Sequence, residues 1–279
     1  MERLQEILAK SGYTGLTSNR TPQEYEQSKA DSFNSSEGSM HEGDGYHCDI
    51  CHNKGMLMRA VEYNGNWTTV TRDCKCMKVR RSIRLMNKSG LKDIIKDNTF
   101  DKFFVDETWQ GNIKELAKEY AANPSGWFFI GGQSGCGKTH ICTAICRELL
   151  LAGREVIYML WRDDVVKIKS AATDSDEYAE LVNKFKTAEI LYIDDLFKTG
   201  RGHYGEKQYP TGADVNVAFE LLNYRYNNKM PTIISSECTV DDVMDIDEAT
   251  GSRIYEKAKA INIRPDRSRN YRIKGAVCL

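Results

Sequence analysis

The chain has 279 residues, 41% of them hydrophobic and 28% charged, and a formal net charge of −1. That length holds one large domain and a small one with an ordinary core. No stretch is long and apolar enough to span a membrane, and the opening Met1-Glu2-Arg3-Leu4-Gln5-Glu6 lacks the basic start and apolar run of a signal peptide. A cytosolic location is expected, and there nine cysteines point to metal ligands or buried thiols rather than disulfides.

The near-neutral total hides a division. Residues 1–46 carry four Lys/Arg against eight Asp/Glu, residues 47–90 nine against three, and residues 251–275 eight against two. An acidic front and two basic blocks suggest separate partners; for the basic blocks these are nucleic acid or simply solvent. Residues 2–10 read as a short amphipathic helix with Leu4, Ile7 and Leu8 on one side. Residues 11–46 are polar and rich in Ser, Gly, Asn and Glu, the composition of a mobile linker.

A module expected over 47–90 follows. Cys48 and Cys51 form a C-x-x-C pair, and Cys74 and Cys76 a pair one residue tighter. Thiolates at such spacing suit tetrahedral Zn²⁺, with His47 and His52 as alternative ligands. Between the pairs, Gly55–Val61 and Trp67–Thr71 read as strands joined at Asn64-Gly65-Asn66, a zinc ribbon in outline. So small a module has little core, and metal would supply much of its folding energy. A basic helix then carries Val79, Ile83 and Met86 at helical spacing, with Arg81, Arg84 and Lys88 elsewhere on its surface. Ser89-Gly90 ends it.

The remaining domain is expected over 91–279. A helix over about 111–122 precedes the strand Trp127–Ile130, which leads into Gly132-Gln133-Ser134-Gly135-Cys136-Gly137-Lys138-Thr139 and then His140. This run fits G-x-x-x-x-G-K-[ST] in the context strand, loop, helix. Its glycines allow a tight turn with N–H groups pointing inward, Lys138 reaches the outer phosphates of a nucleotide, and Thr139 offers a hydroxyl to Mg²⁺. After a strand over 155–160 and two helices comes Ile190-Leu191-Tyr192-Ile193-Asp194-Asp195. Four apolar residues ending in two acids read as a central parallel strand opening on a ligand crevice. Asp194 would hold Mg²⁺ and Asp195 would orient or deprotonate the attacking water. A Gly-rich loop over 198–212 containing His203, a helix over 214–227 and a strand over 231–236 complete the reading.

Taken together, Gly131–His140, Leu191–Phe197, Pro231–Ser236 and Gly251-Ser252-Arg253-Ile254-Tyr255-Glu256 resemble the DnaC-type helicase loaders, especially those of phages and prophages of Gram-positive bacteria. The resemblance covers about residues 47–275 and includes the cysteine-rich module. It implies an α/β fold of the AAA+ P-loop class, a parallel five-stranded sheet between helices. It further implies ATP with Mg²⁺ at Lys138, Thr139 and Asp194, slow hydrolysis through Asp195, and Arg253 as a finger inserted into a neighbour's site by self-association. Arg272 would be the sensor of the terminal phosphate, with Arg269 as its substitute, and the first sensor would be Ser235, Ser236 or Glu237. The implied partners are a hexameric replicative helicase and single-stranded DNA, the latter touching Lys167 and Lys169. Two other readings stay open: a transposition-helper ATPase of the IstB kind acting on duplex DNA, and a P-loop kinase of a small molecule.

Overall fold

The computed structural model describes residues 20–87, 95, 97–200 and 208–272. The expected helix over 2–10, the stop at Ser89-Gly90 and His203 lie outside them. The chain divides into two units at Met77/Lys78.

In the first unit, part of the expected linker is ordered. Residues 22–35 form helix α1 (Pro22–Ser35), entered through a capping box in which Thr21 and Glu24 satisfy each other's backbone N–H groups, with Pro22 in its first turn. The helix buries only Ala30, so its order comes from outside its own sequence pattern. The Asn34 amide donates to the Met58 carbonyl at 2.8 Å and accepts from the Met58 N–H at 2.9 Å, and Lys54 Nζ donates to the Ser36 carbonyl. A short helix α2 (Met40–Asp44) follows.

Strands β1 (Met56–Tyr63) and β2 (Asn66–Asp73) pair antiparallel with Tyr63 opposite Asn66. Asn64 and Gly65 alone make the turn, at φ 51° and 76°. Both residues are left-handed, as a two-residue hairpin loop matching the strand twist requires. Helix α3 (Cys76–Met86) starts at the last cysteine and continues across the boundary. From Lys78 on, the basic helix therefore falls in the second unit rather than with the cysteine module. Arg81 and Arg84 are exposed as expected, but Arg80 is fully buried beside Val79.

The second unit is a five-stranded parallel sheet in the order β4-β5-β6-β3-β7, built from β3 (Trp127–Gly132), β4 (Val156–Leu160), β5 (Ile190–Leu196), β6 (Thr232–Ser236) and β7 (Ala258–Ile263). Its helices are α4 (Thr108–Ala122), α5 (Lys138–Leu151), α6 (Trp161–Ser170), α7 (Ser175–Lys186), α8 (Gly212–Asn227), α9 (Val240–Ile246) and α10 (Glu248–Lys257). β3, β4, β5 and β6 are buried on both faces, as parallel strands are, whereas β7, Ala258-Lys259-Ala260-Ile261-Asn262-Ile263, buries only Ile263. Alternation then sorts the side chains. Trp127, Phe129, Met159, Leu191, Ile193 and Ile234 pack with residues of α6, α7 and α8 such as Trp161, Phe185 and Leu221. Phe128 points the other way and meets Tyr120 of α4 with ring centroids 5.7 Å apart.

At the end of the sheet away from the strands' C-termini, Arg225 of α8 is fully buried. Its guanidinium donates to the carbonyls of Phe185, Lys186, Ala188 and Pro231 and to Thr232 Oγ1. One side chain thus ties α7, the entry to β5 and the entry to β6 together.

Candidate nucleotide site and cysteine cluster

β3 delivers the chain into the phosphate loop at the C-terminal edge of the sheet, and α5 leaves it. Gly132, Gly135 and Gly137 stand at φ 131°, 79° and 90°, conformations that side chains disfavour. A Cβ at Gly132 would come within 2.3 Å of the Ile263 carbonyl, and one at Gly135 within 2.0 Å of Asn270 Oδ1. β7 and the segment after it therefore pack so closely on the loop that neither glycine could carry a side chain. Lys138 Nζ donates to the carbonyls of Gly132 and Gln133 at 2.8 and 2.7 Å.

The C-terminal segment folds back over this loop. Gln133 exchanges two hydrogen bonds with the Asp266 backbone, at 2.6 and 2.7 Å. The Tyr271 N–H donates to the Gly135 carbonyl at 2.9 Å, and Gln110 of α4 donates to the Tyr271 hydroxyl. Arg272 Nη1 donates to Ser134 Oγ at 3.2 Å. The result is a cavity of about 420 Å³ bordered by Ser134–His140, Asp195, Lys198, Glu237 and Arg272, with Phe103, Phe104 and Tyr271 as its aromatic rim. His140 turns from the loop to the Thr99 carbonyl at 2.9 Å.

The two acids at the end of β5 differ in setting. Asp194 is 5% exposed and accepts from Tyr192 at 2.7 Å, Tyr158 at 3.1 Å, Thr139 at 3.4 Å and Ser235 at 2.5 Å. Burial, and then the Asp194 carboxylate, push both tyrosines far above the ordinary phenol range, so they remain donors. Thr139 and Asp194 together present a hydroxyl and a carboxylate oxygen, the hard donors that suit Mg²⁺. Asp195 instead borders the cavity. Its N–H donates to Ser235 Oγ at 3.0 Å, and its Oδ2 lies 2.7 Å from Lys198 Nζ.

The sensor alternatives separate in the same way. Ser235 and Ser236 are buried and used internally, the latter on the Leu196 carbonyl at 2.6 Å. Glu237 borders the cavity and pairs with Lys198 at 3.2 Å. Arg272 borders the cavity, whereas Arg269 lies over the Trp109 ring at 5.3 Å. Arg253, on α10, is not among the residues bordering the cavity. Its guanidinium lies over Phe219 and Tyr226 at 5.1 and 5.3 Å, its Nη1 donates to the Ala249 carbonyl at 2.6 Å, and its buried Nε has no hydrogen-bond partner among the described residues.

The two lysines expected at DNA are both in ion pairs. Lys167 meets Asp164 at 3.0 Å and is 65% exposed; Lys169 meets Asp214 at 2.6 Å and is 29% exposed. Burial would raise the Asp214 pKa, but the bonds from Lys169 and Thr211 outweigh it and hold the carboxyl below its usual range. Sequence reading missed Lys198, Tyr158, Tyr192 and Gln110. Tyr192 lies inside the Ile190–Asp195 run but reads there as one more apolar strand position, and the other three lie outside every motif.

In the first unit, Cys48, Cys51, Cys74 and Cys76 are buried, and their sulfurs all lie within 4.8 Å of one another. Cys48 and Cys74 are 3.8 Å apart and Cys51 and Cys76 3.6 Å. A disulfide needs about 2.05 Å. A tetrahedral ion with metal–sulfur bonds of about 2.3 Å spaces its sulfurs about 3.8 Å apart. The Gly55 N–H donates to Cys51 Sγ at 3.2 Å, as a thiolate ligand would accept. His47 and His52 are exposed and stand outside the four. The cluster could therefore hold one metal ion.

A family model described as IstB-like ATP binding protein matches residues 68–270. The chain is 32% identical over 223 residues to the phage-like element PBSX protein XkdC of Bacillus subtilis, covering 76% of this chain and 79% of that one. It is 25% identical over 195 residues to the replicative helicase loader DnaC of Escherichia coli, covering 68% and 74%. In fold it is similar to a crystal structure of the DnaC helicase loader, with a TM-score of 0.52 at 18% identity over 61% of this chain and 98% of that one. With the family model spanning most of the chain, including the phosphate loop, the acidic pair and Arg253, this protein belongs to the IstB/DnaC-like family of ATP-binding proteins.

Proposed function

We propose that the chain is an ATP-driven loader that places a hexameric replicative helicase on single-stranded DNA, working as an assembly of its own copies. Likeness to a replicative helicase loader supplies the partner class. The observation that carries the mechanism is the division of its arginines: Arg272 borders the chain's own cavity, while Arg253 stands outside it, its buried Nε without a hydrogen-bond partner among the described residues. A guanidinium so placed completes a site only when a second subunit offers one, which makes hydrolysis conditional on assembly.

In this reading the P-loop N–H groups and Lys138 bind the phosphates, Thr139 and Asp194 hold Mg²⁺, and Asp195 orients the water. Mg²⁺ would neutralise charge on the outer phosphates. The short Asp arm where many relatives of the fold carry Glu suits slow, switch-like turnover. Cys48, Cys51, Cys74 and Cys76 hold one Zn²⁺. Lys167, with its exposed ammonium, is the better of the two lysines for a DNA phosphate, because Lys169 is half-buried against Asp214.

The test is co-purification with a hexameric helicase, with and without ATP, using Lys138→Ala as control. ATP-dependent capture that Lys138→Ala loses is expected, together with a preference for single-stranded over duplex DNA that weakens steeply with salt. Capture of duplex DNA alone would favour a transposition helper. Arg253→Ala subunits should bind ATP yet turn it over about a thousandfold more slowly. Mixing them with Asp195→Asn subunits should restore part of the activity, and a flat titration would defeat the trans assignment.

A further inference from the structure

Lys198 follows the acidic pair through a turn with two left-handed residues. Asp195 and Phe197 stand at φ 59° and 60°, a region that costs a non-glycine residue roughly 1–2 kcal/mol. The Lys198 N–H closes the turn on the Asp195 carbonyl at 2.9 Å. Packing holds it there: Phe197 is buried against the Trp161 ring edge-on at 5.6 Å, and Ser236 clamps the Leu196 carbonyl. Backbone strain retained in this way marks a position that the surrounding structure over-determines.

The turn carries the Lys198 side chain back over the acid three residues before it. Nζ lies 2.7 Å from Asp195 Oδ2 and 3.2 Å from Glu237 Oε1, and all three side chains border the cavity lined by Lys138 and Thr139. Burial alone would lower the ammonium's pKa; its bonds to Asp195 and Glu237 raise it overall, so the group stays charged.

We propose that Lys198, itself held by Glu237, is a positioning residue for ATP hydrolysis that pins one carboxylate oxygen of Asp195 and leaves the other to accept a proton from the attacking water. The inference rests on the reading of Asp195 as the water-orienting acid. A carboxylate on a one-methylene arm can turn away from its target, and a fixed ammonium removes that freedom before the reaction begins.

The experiment measures ATP affinity and steady-state turnover separately, with helicase and single-stranded DNA present, for the wild type, Lys198→Met, Lys198→Arg, Asp195→Asn and the double variant Asp195→Asn/Lys198→Met. Turnover of Lys198→Met should fall about 10- to 100-fold at unchanged affinity, which also shows that the variant is folded. Lys198→Arg should recover much of the loss. In the Asp195→Asn background, Lys198→Met should cost nothing further, since both changes remove one coupled function. Turnover equal to or above wild type would make Lys198 a bystander or a brake and overturn the proposal. A parallel loss of affinity would make it a phosphate ligand, and a loss that persists without Asp195 would uncouple the two; either result overturns it. A wild type that hydrolyses no ATP under these conditions defeats the Asp195 reading together with the inference, whereas wild-type turnover with an unaffected Lys198→Met defeats the inference alone.

Discussion

Between Arg20 and Met77 the buried cluster consists of four cysteines with Tyr46 and Leu57 packed against them, whereas the second unit buries more than twenty apolar side chains in a single cluster on one face of its sheet. The first has eight-residue strands without one buried residue, and the second has four strands, β3 to β6, that are buried on both faces. A hairpin of that kind is at best marginal alone in water. The difference teaches where each unit's order comes from. The sheet unit is held by area removed from water, and the cysteine unit by whatever fixes four sulfurs at a common point.

Metal removal should break this comparison most sharply. A structural Zn²⁺ contributes about 10–16 kcal/mol of apparent binding energy, so a strong chelator, or Cys74→Ser, should unfold residues 20–77 while the sheet unit keeps its structure. Elemental analysis and hydrogen exchange resolved by segment would check both halves, and a full metal equivalent retained by Cys74→Ser would refute it. Next in size, Lys138→Ala should weaken ATP binding about 100-fold or more, near 3 kcal/mol, without touching the metal content. Asp195→Asn should preserve binding and lose all but a residual hydrolysis, and calorimetric titration beside a turnover assay separates the two. Leu221→Ala, at a fully buried site in the sheet unit's core, should cost about 3 kcal/mol. It should lower the melting transition of the sheet unit and leave metal affinity unchanged. The smallest effect is expected for Thr21→Ala, which removes the capping box of α1 and costs about 1 kcal/mol. Exchange should quicken in α1 and nowhere in the sheet unit.

β3, β4, β5 and β6 were legible because apolar residues mark each of them and the crevice-side ends of β3, β5 and β6 carry glycine, acid and serine. β7, with Lys259 and Asn262 among its six residues, has no such run and was not legible. The glycine-rich turn after β3 and the approach of Thr139 to Asp194 were legible from residue types and their spacing in the strand, loop, helix context. The cysteine hairpin followed from Asn64-Gly65 and the flanking pairs. Helix α1 was not legible: its faces are polar, and it is held by Asn34 on Met58 and by Lys54 on Ser36, bonds made across more than fifteen residues. Tyr158 and Tyr192 look like ordinary strand residues, and their convergence on Asp194 follows only from β4 lying beside β5. Lys198 looks like a loop cation until two left-handed residues turn it back.

Arg225 reads in the same way as a surface charge on a helix, yet its acceptors are four backbone carbonyls and one hydroxyl. None of these five acceptors is an ion. Screening by dissolved salt acts on interactions between exposed charges and very little on a buried cation held by peptide dipoles. This gives the experimenter a selective reagent: raising the ionic strength should weaken the proposed contacts to a DNA backbone while the fastening at the far end of the sheet stays closed. A loss of the proposed DNA binding in high salt can then be assigned to surface charge without invoking a release of Arg225.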